Sequence, residues 1–212
     1  SALDLFPLDA GDTWHYDLFA GAQAGGSVTR AIVAGPDANG WFTLREGGAT
    51  QADDIVLRQT SEGIEQFDPL GAQRSMPGAY QALPTVLVYP MPFYAPGGVR
   101  RVVRQGDVLA DLDGDGWGDA FRVEITQVFR GFEVQDVLGQ PAQVAHFSNA
   151  LAFTLFYSRS GGSYTTTSTE EAWLASGLGP VRLDRAATGS DGAVIVAPYT
   201  LLLHDAAIAP LP

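Results

Sequence analysis

The sequence predicts an all-β protein: a single antiparallel domain built as a strongly curved sheet, a half-barrel or a sandwich. The first observation is a period-two alternation, with Trp14, Tyr16 and Leu18 on one strand face and His15 and Asp17 on the other. The second is the even distribution of 25 glycines and 13 prolines, which punctuate short strands with turns. The third is that no segment keeps the 3.6-residue period of an amphipathic helix over three turns.

The expected strands follow one another along nearly the whole chain, and most alternate as the first one does. They are residues 13–19, 27–34, 40–45, 55–59, 63–67, 85–89, 99–104, 121–126, 129–137, 143–148, 150–158, 164–174, 180–186 and 193–204. The Gly-Pro-Asp-Ala-Asn run at 35–39 is a strong turn signal, and residues 60–62 join two strands as a hairpin. Residues 69–84 are expected to be irregular.

No shift in composition marks a domain boundary. We therefore expect residues 1–212 to form one domain, with a C-terminal tail over residues 204–212 that has little to pack against. A chain of this length can bury a substantial core. The longest apolar stretch near the end, residues 193–203, contains Pro198 and is too short to span a bilayer, so no transmembrane segment is predicted.

The charge balance is acidic, with 24 acids against 12 bases and a formal net charge of −12. This argues against nucleic acid or an anionic membrane as partner, since both need a basic patch to neutralise their phosphates. There is no cysteine, which excludes thiol catalysis, zinc–thiolate sites, iron–sulfur clusters and disulfides.

The strongest motif is the acidic loop, residues 111–119, with the sequence Asp-Leu-Asp-Gly-Asp-Gly-Trp-Gly-Asp. Its aspartates stand at positions 1, 3, 5 and 9, and a glycine at position 6 permits a sharp turn around one ion. Calcium prefers six to eight oxygen ligands, whereas carboxylates this close repel one another without a counter-ion. The sequence therefore predicts a structural Ca²⁺ site, and the alternative is an Asp/Gly-rich turn without an ion.

A strand, not a helix, is expected to follow this loop. Position 12 is Arg122, where the helical calcium module places a bidentate glutamate, and Phe121, Val123 and Ile125 alternate with polar residues. Glu124 is a weak additional ligand candidate.

The loop resembles the D-x-D-x-D-G-x-x-D calcium loops of integrin-type propeller repeats and of dockerins. This resemblance implies that the side chains of Asp111, Asp113, Asp115 and Asp119 and the backbone carbonyl of Trp117 coordinate Ca²⁺.

Two further segments carry a second resemblance. Residues 6–16 match F-P-L-x-x-G-x-x-W-x-Y, and residues 171–181 match E-x-W-x-A-x-G-x-G-x-V. This pattern is similar to that of an uncharacterised family of bacterial secreted proteins and lipoproteins with a lipoprotein-carrier-like outline. The resemblance implies a strongly curved antiparallel sheet and a secreted, periplasmic or cell-surface location, and it brings no agreed activity. From their positions, Trp14 and Trp173 are expected to serve the core and turns.

No catalytic residue is assigned. His15, His146 and His204 lack zinc-site spacing, and His146 with Ser148 lacks an orienting acid and the elbow of a serine hydrolase. The acid pairs at 53–54, 62/65 and 170–171 are expected to be solvated turns and strand ends. Residues 158–163 are expected to form a flexible hairpin.

Residues 84–96 concentrate aromatic residues among prolines, which favours a lid over the core, with an apolar binding surface as the alternative. We expect a non-enzymatic, extracytoplasmic protein stabilised by calcium. Its partner is either an apolar small molecule in a cavity lined by aromatics, or another surface protein contacted through an edge strand or residues 210–212. The oligomeric state stays open, and a calcium-supported secreted hydrolase is the alternative function.

Overall fold

The computed structural model describes residues 5–48, 52–91 and 95–208. It confirms the all-β antiparallel class, with twelve strands and one short helix among these residues. The strands are β1 (Thr13–Ala20), β2 (Gln23–Ala34), β3 (Trp41–Gly47), β4 (Ala52–Thr60), β5 (Gly63–Phe67), β6 (Thr85–Pro90), β7 (Val99–Asp107), β8 (Ala120–Val137), β9 (Gln140–Phe156), β10 (Ser163–Ala175), β11 (Gly179–Gly189) and β12 (Val194–Ala207). The helix α1 is Pro77–Ala82 and lies in the segment expected to be irregular.

All twelve strands form one strongly curved, open sheet in the order β6-β5-β4-β3-β2-β1-β12-β11-β10-β9-β8-β7. Each half is a meander of neighbouring hairpins, and the two halves join where β1 pairs with β12. Strands β6 and β7 are therefore the two edges. The curvature carries β6 across the concave face, where the side-chain amide of Gln127 on β8 donates to the carbonyl oxygens of Leu87 (2.5 Å) and Val88 (3.1 Å).

Several strands are longer than the sequence predicts. β8 joins two expected strands, and a bulge between Phe129 and Gly131 absorbs the interruption because Gly131 adopts a φ of 124°. β9 likewise joins two expected strands. β12 continues to Ala207, so residues 205–207 pair with β1 instead of belonging to the expected tail, and His204 lies at a bulge in this pairing. Residues 209–212, including the proposed contact segment 210–212, lie outside the described residues.

The larger core cluster fills the concave side where the two resemblance segments meet. Trp14 and Tyr16 are each 1% exposed. The indole N–H of Trp14 donates to the carbonyl of Leu178 (2.5 Å), and the hydroxyl of Tyr16 donates to the carbonyl of Pro180 (2.7 Å). These bonds tie β1 to the β10–β11 connection and the start of β11, so the two resemblance segments contact each other.

A second apolar cluster lies towards the acidic loop, where α1 packs against the end of β7 and side chains of β8. Its buried members include Ala79, Leu83, Val108, Phe121 and Val123. The helix approaches the backbone very closely at Gly78, where an added Cβ would lie 1.9 Å from the carbonyl oxygen of Asp107. This cluster holds the end of β7 and the start of β8, and with them both ends of the acidic loop.

Candidate functional site

The acidic loop connects β7 to β8, a strand-to-strand position as the alternation predicts. Asp111, Asp113 and Asp115 each bring a carboxylate oxygen to within 4.8 Å of the others. Asp111 also organises the turn, since it accepts hydrogen bonds from the amides of Gly114 (2.6 Å), Asp115 (3.1 Å) and Gly116 (2.8 Å). These bonds, that of Gly116 first, hold the pKa of Asp111 below its usual value.

The other two predicted ligands occupy different positions. Asp119 is fully buried at the base of the loop, where it accepts from the amides of Leu112 (2.8 Å) and Ser158 (2.9 Å). The bond from Ser158 is the largest cause of its lowered pKa. Trp117 has a 74% exposed side chain, and its amide donates to Asp115 Oδ1 (2.8 Å). The structure thus brings three of the four carboxylates together and uses the fourth to anchor the loop.

No motif in the sequence indicates that a second hairpin joins this site. The β9–β10 turn, expected to be flexible, supplies Ser158 Oγ to Asp115 Oδ2 (3.0 Å) and the amide of Arg159 to Asp113 Oδ2 (3.3 Å). Because β8 pairs with both β7 and β9, the ends of these two hairpins lie side by side. Ser and Gly at a turn carry no specific signal for such a contact.

One atom of the loop has no partner among the described residues. Asp113 Oδ1 is buried and accepts no hydrogen bond. A buried carboxylate oxygen without a donor is costly, and a hard cation would satisfy it. The residues present therefore fit Ca²⁺. Glu124, the weak extra candidate, instead accepts from Arg101 (2.8 Å) and Arg122 (3.3 Å) on the strands.

A second candidate site is the concave cleft, a cavity of about 260 Å³ between edge strand β6 and strands β8–β12. Most of its lining is apolar or small. The lining residues are Gln66, Pro69, Val86, Val88, Ile125, Gln127, Asn149, Ala150, Leu151, Ser168, Thr169, Glu170, Arg185, Ala186, Ala187, Val196 and Tyr199. Tyr199 is the single aromatic among these described residues, so the expected aromatic-lined cavity is not what this cleft provides.

An Arg–Glu network of four residues, Arg30, Glu46, Glu170 and Arg185, borders the cleft, and Glu170 and Arg185 belong to the cleft lining. Arg30 lies opposite Glu46 on β2 and β3, and Arg185 lies opposite Glu170 on β11 and β10. Arg185 donates to Glu170 (Nε–Oε2, 2.7 Å) and bridges to Glu46 (3.3 Å) in the other half of the sheet. Glu170, expected at a solvated strand end, is only 19% exposed.

The network sets the ionisation of its members. Burial raises the pKa of Glu46, but the guanidinium groups of Arg30 and then Arg185 lower it further, so the pKa lies below the usual value. The same balance, led by Arg185, lowers the pKa of Glu170. Burial raises the pKa of the neighbouring Tyr16 to about 12. Two cations and two anions therefore stay ionised and balance one another at neutral pH.

The opposite face of the sheet holds the histidine–serine pair. His146 Nε2 lies 2.8 Å from Glu171 Oε2, and Ser148 Oγ donates to Glu171 Oε1 (2.7 Å). Glu171 is thus an acid beside this pair that the sequence analysis did not assign, but it lies between His146 and Ser148. Ser148 donates its hydroxyl hydrogen to this carboxylate. A serine nucleophile is instead activated by donating to a histidine base that an acid orients. Trp173 stacks on His146 with ring centroids 4.3 Å apart.

The expected lid is described only in part. Tyr89 and Met91 are 5% exposed and belong to the main core, and the hydroxyl of Tyr89 donates to Glu170 Oε1 (3.0 Å). Residues 92–94 lie outside the described residues. The part of the lid that is described therefore packs inwards.

Within the described residues, we find no helix that combines the length and hydropathy needed to cross a membrane. A scan against known protein families and a search of curated proteins each found no match to this sequence.

Solved structures resemble the chain, three of them over nearly its whole length. Two have a TM-score of 0.45 at 12% identity and cover 96% of this chain and 98% of their own: a protein of Bacteroides fragilis assigned as exported with a YmcC-like fold, and a protein of Parabacteroides distasonis assigned as a lipoprotein. The hypothetical lipoprotein YmcC from Escherichia coli has a TM-score of 0.35 at 13% identity, covering 95% of this chain and 85% of its own. At these scores the likeness carries no conclusion about function.

Proposed function

We propose that the chain is a non-enzymatic protein that works outside the cytoplasm and binds an apolar ligand in the concave cleft. The observation that carries this proposal is the cleft itself, whose walls include Val86, Val88, Ile125, Leu151 and Val196. Apolar side chains that face an open cavity keep a hydration cost that a ligand removes. The hydrogen bond from the side chain of Gln127 holds β6 across the concave face, and this arrangement keeps the cavity in place.

The sheet edges favour a ligand over edge-to-edge assembly. β7 presents Arg100, Arg101 and Arg104, and charged residues on an edge strand oppose pairing with another chain. At the other edge, carbonyls of β6 already accept from the side-chain amides of Gln127 and Asn149. Both edges thus have features that oppose pairing with a strand of another chain.

The acidic loop supports a calcium site in a protein that works outside the cell. We infer that Asp111, Asp113 and Asp115, with the carbonyl of Trp117, hold Ca²⁺ above the anchor residue Asp119. The support is the three-carboxylate cluster and the unpartnered Asp113 Oδ1. Asp119 keeps lone pairs for the ion as well. The ion would neutralise the carboxylates, and weak sites of this kind fill where calcium is millimolar, outside the cell.

Binding of the neutral fluorescent probe N-phenyl-1-naphthylamine tests the ligand-binding function. We expect saturable fluorescence enhancement with the wild type, and a loss of at least about tenfold in affinity with Ser168→Phe, which fills the cleft. The matched control is Thr167→Phe, because the neighbouring side chain on β10 projects to the opposite face. No saturable binding by the wild type, or equal effects of the two variants, would contradict the proposal.

A further inference from the structure

The charged groups of the concave cleft are already neutralised by one another. Arg185 is the single cation among the described lining residues, and its guanidinium is shared between Glu170 (Nη2–Oε2, 2.6 Å) and Glu46 (3.3 Å). An anionic head group would have to compete with both carboxylates for this guanidinium. Since the whole chain carries a formal charge of −12, the cleft is unsuited to an anion.

One polar atom of the cleft wall lacks a partner within the part of the chain that the structure describes. The Nδ2 of Asn149 donates to the carbonyl of Val88 (3.3 Å) and to Glu170 Oε1 (3.4 Å), and both of these groups are acceptors. This fixes the orientation of the amide, because a flipped side chain would place oxygen against oxygen. Asn149 Oδ1 is then left without a hydrogen-bond donor among the described residues, and because solvent does not reach this atom, a ligand donor contacts it only after the neighbouring side chains move.

We propose that the cleft binds a neutral amphiphile, an alkyl chain ending in a hydroxyl or amide group, which donates its proton to Asn149 Oδ1. This inference rests on the apolar-ligand function proposed above and adds the chemistry of the head group. The alkyl chain lies along Val86, Val88 and Leu151, and the donor satisfies the buried acceptor of the cleft lining that no described residue pairs. A fatty-acid carboxylate has no proton to donate and would meet Glu170.

Three ligands of similar size separate these contributions. 1-Decanol donates a hydrogen bond, 1-methoxynonane has the same number of heavy atoms but no donor, and decanoate is ionised at pH 8. Each is titrated against protein loaded with N-phenyl-1-naphthylamine, and probe displacement is measured. We expect decanol to bind about tenfold more tightly than methoxynonane, and decanoate to bind more weakly than decanol.

A variant pair locates the effect. Asn149→Leu is expected to remove the preference for decanol over methoxynonane, whereas Thr167→Ala, whose side chain projects to the opposite face of β10, retains it. Equal affinities of decanol and methoxynonane for the wild type would overturn the inference even if Asn149→Leu fails to fold, and so would tightest binding of decanoate. In both cases the cleft still binds apolar ligands. Failure of the probe and all three compounds to bind would instead overturn the proposed function.

Discussion

The Arg–Glu network and the acidic loop are two groups of carboxylates that the molecule treats differently. In the network, Glu46 and Glu170 face Arg30 and Arg185, so opposite charges balance inside the curved sheet. In the loop, Asp111 and its neighbours accept backbone N–H groups, and within the described residues no arginine forms an ion pair with them. The network is complete without an added ion, whereas the loop has carboxylate charge left for a cation.

Removing a cation from the network should have the largest effect. Arg185→Met leaves Glu170 and Glu46 buried with one partner fewer, and we expect a loss of about 3–5 kcal/mol in the free energy of unfolding. Urea denaturation measures it. The matched control is Arg45→Met, because the Arg45–Asp54 pair is half exposed and is worth about 0–1 kcal/mol. Equal losses in the two variants would contradict the distinction between network and surface pairs.

Removing the side chain that anchors the acidic loop should have the second largest effect on the free energy of unfolding. Asp119→Ala leaves the amides of Leu112 and Ser158 without their acceptor, so we expect a loss of about 1–3 kcal/mol. Because these bonds need no ion, the loss should persist in chelator. Thermal unfolding with and without EDTA measures both values, and a loss seen only in the presence of calcium would show that Asp119 acts through the ion alone.

Calcium removal should have a smaller effect. With 2 mM Ca²⁺ and a dissociation constant of about 10⁻⁴ M, linkage gives about 2 kcal/mol, or a decrease in Tm of several degrees on adding EDTA. Asp113→Asn should weaken this response. Asp136→Asn is the control, since Asp136 also caps a turn through the amide of Gly139 but has no role in the acidic loop. An unchanged Tm of the wild type in EDTA would refute the calcium site.

The slope of the free energy of unfolding against pH in acid should identify the contribution of the Arg–Glu network. The lowered pKa values of Glu46 and Glu170 mean that their contribution is present above the ordinary glutamate pKa of about 4.3 and is lost as pH falls through the folded values. Each carboxylate adds at most about 1.4 kcal/mol per pH unit. Glu170→Gln should flatten the curve below pH 4, measured by urea denaturation in chelator. An unchanged slope would show that Glu170 does not carry this dependence.

Sequence reasoning succeeds for the features of this molecule that are local in the chain. The acidic loop is a continuous run, and its strand-to-strand setting follows from Arg122 and the alternation after it, so both could be predicted. Its contact with Ser158 could not, because that residue lies 39 positions from Asp119. Glu170 was expected to be solvated because a sequence does not show which strand will cover it.

The sequence by itself determined the strands, the turns and the acidic loop, because period-two alternation and turn chemistry act between near neighbours. The tertiary structure alone decided the cleft and the closure of the network. Arg30–Glu46 and Glu170–Arg185 depend on the register of paired strands, and the Arg185–Glu46 contact spans 139 residues. Only the curvature of one sheet made from two meanders brings those strands face to face, and curvature is a property of the whole sheet.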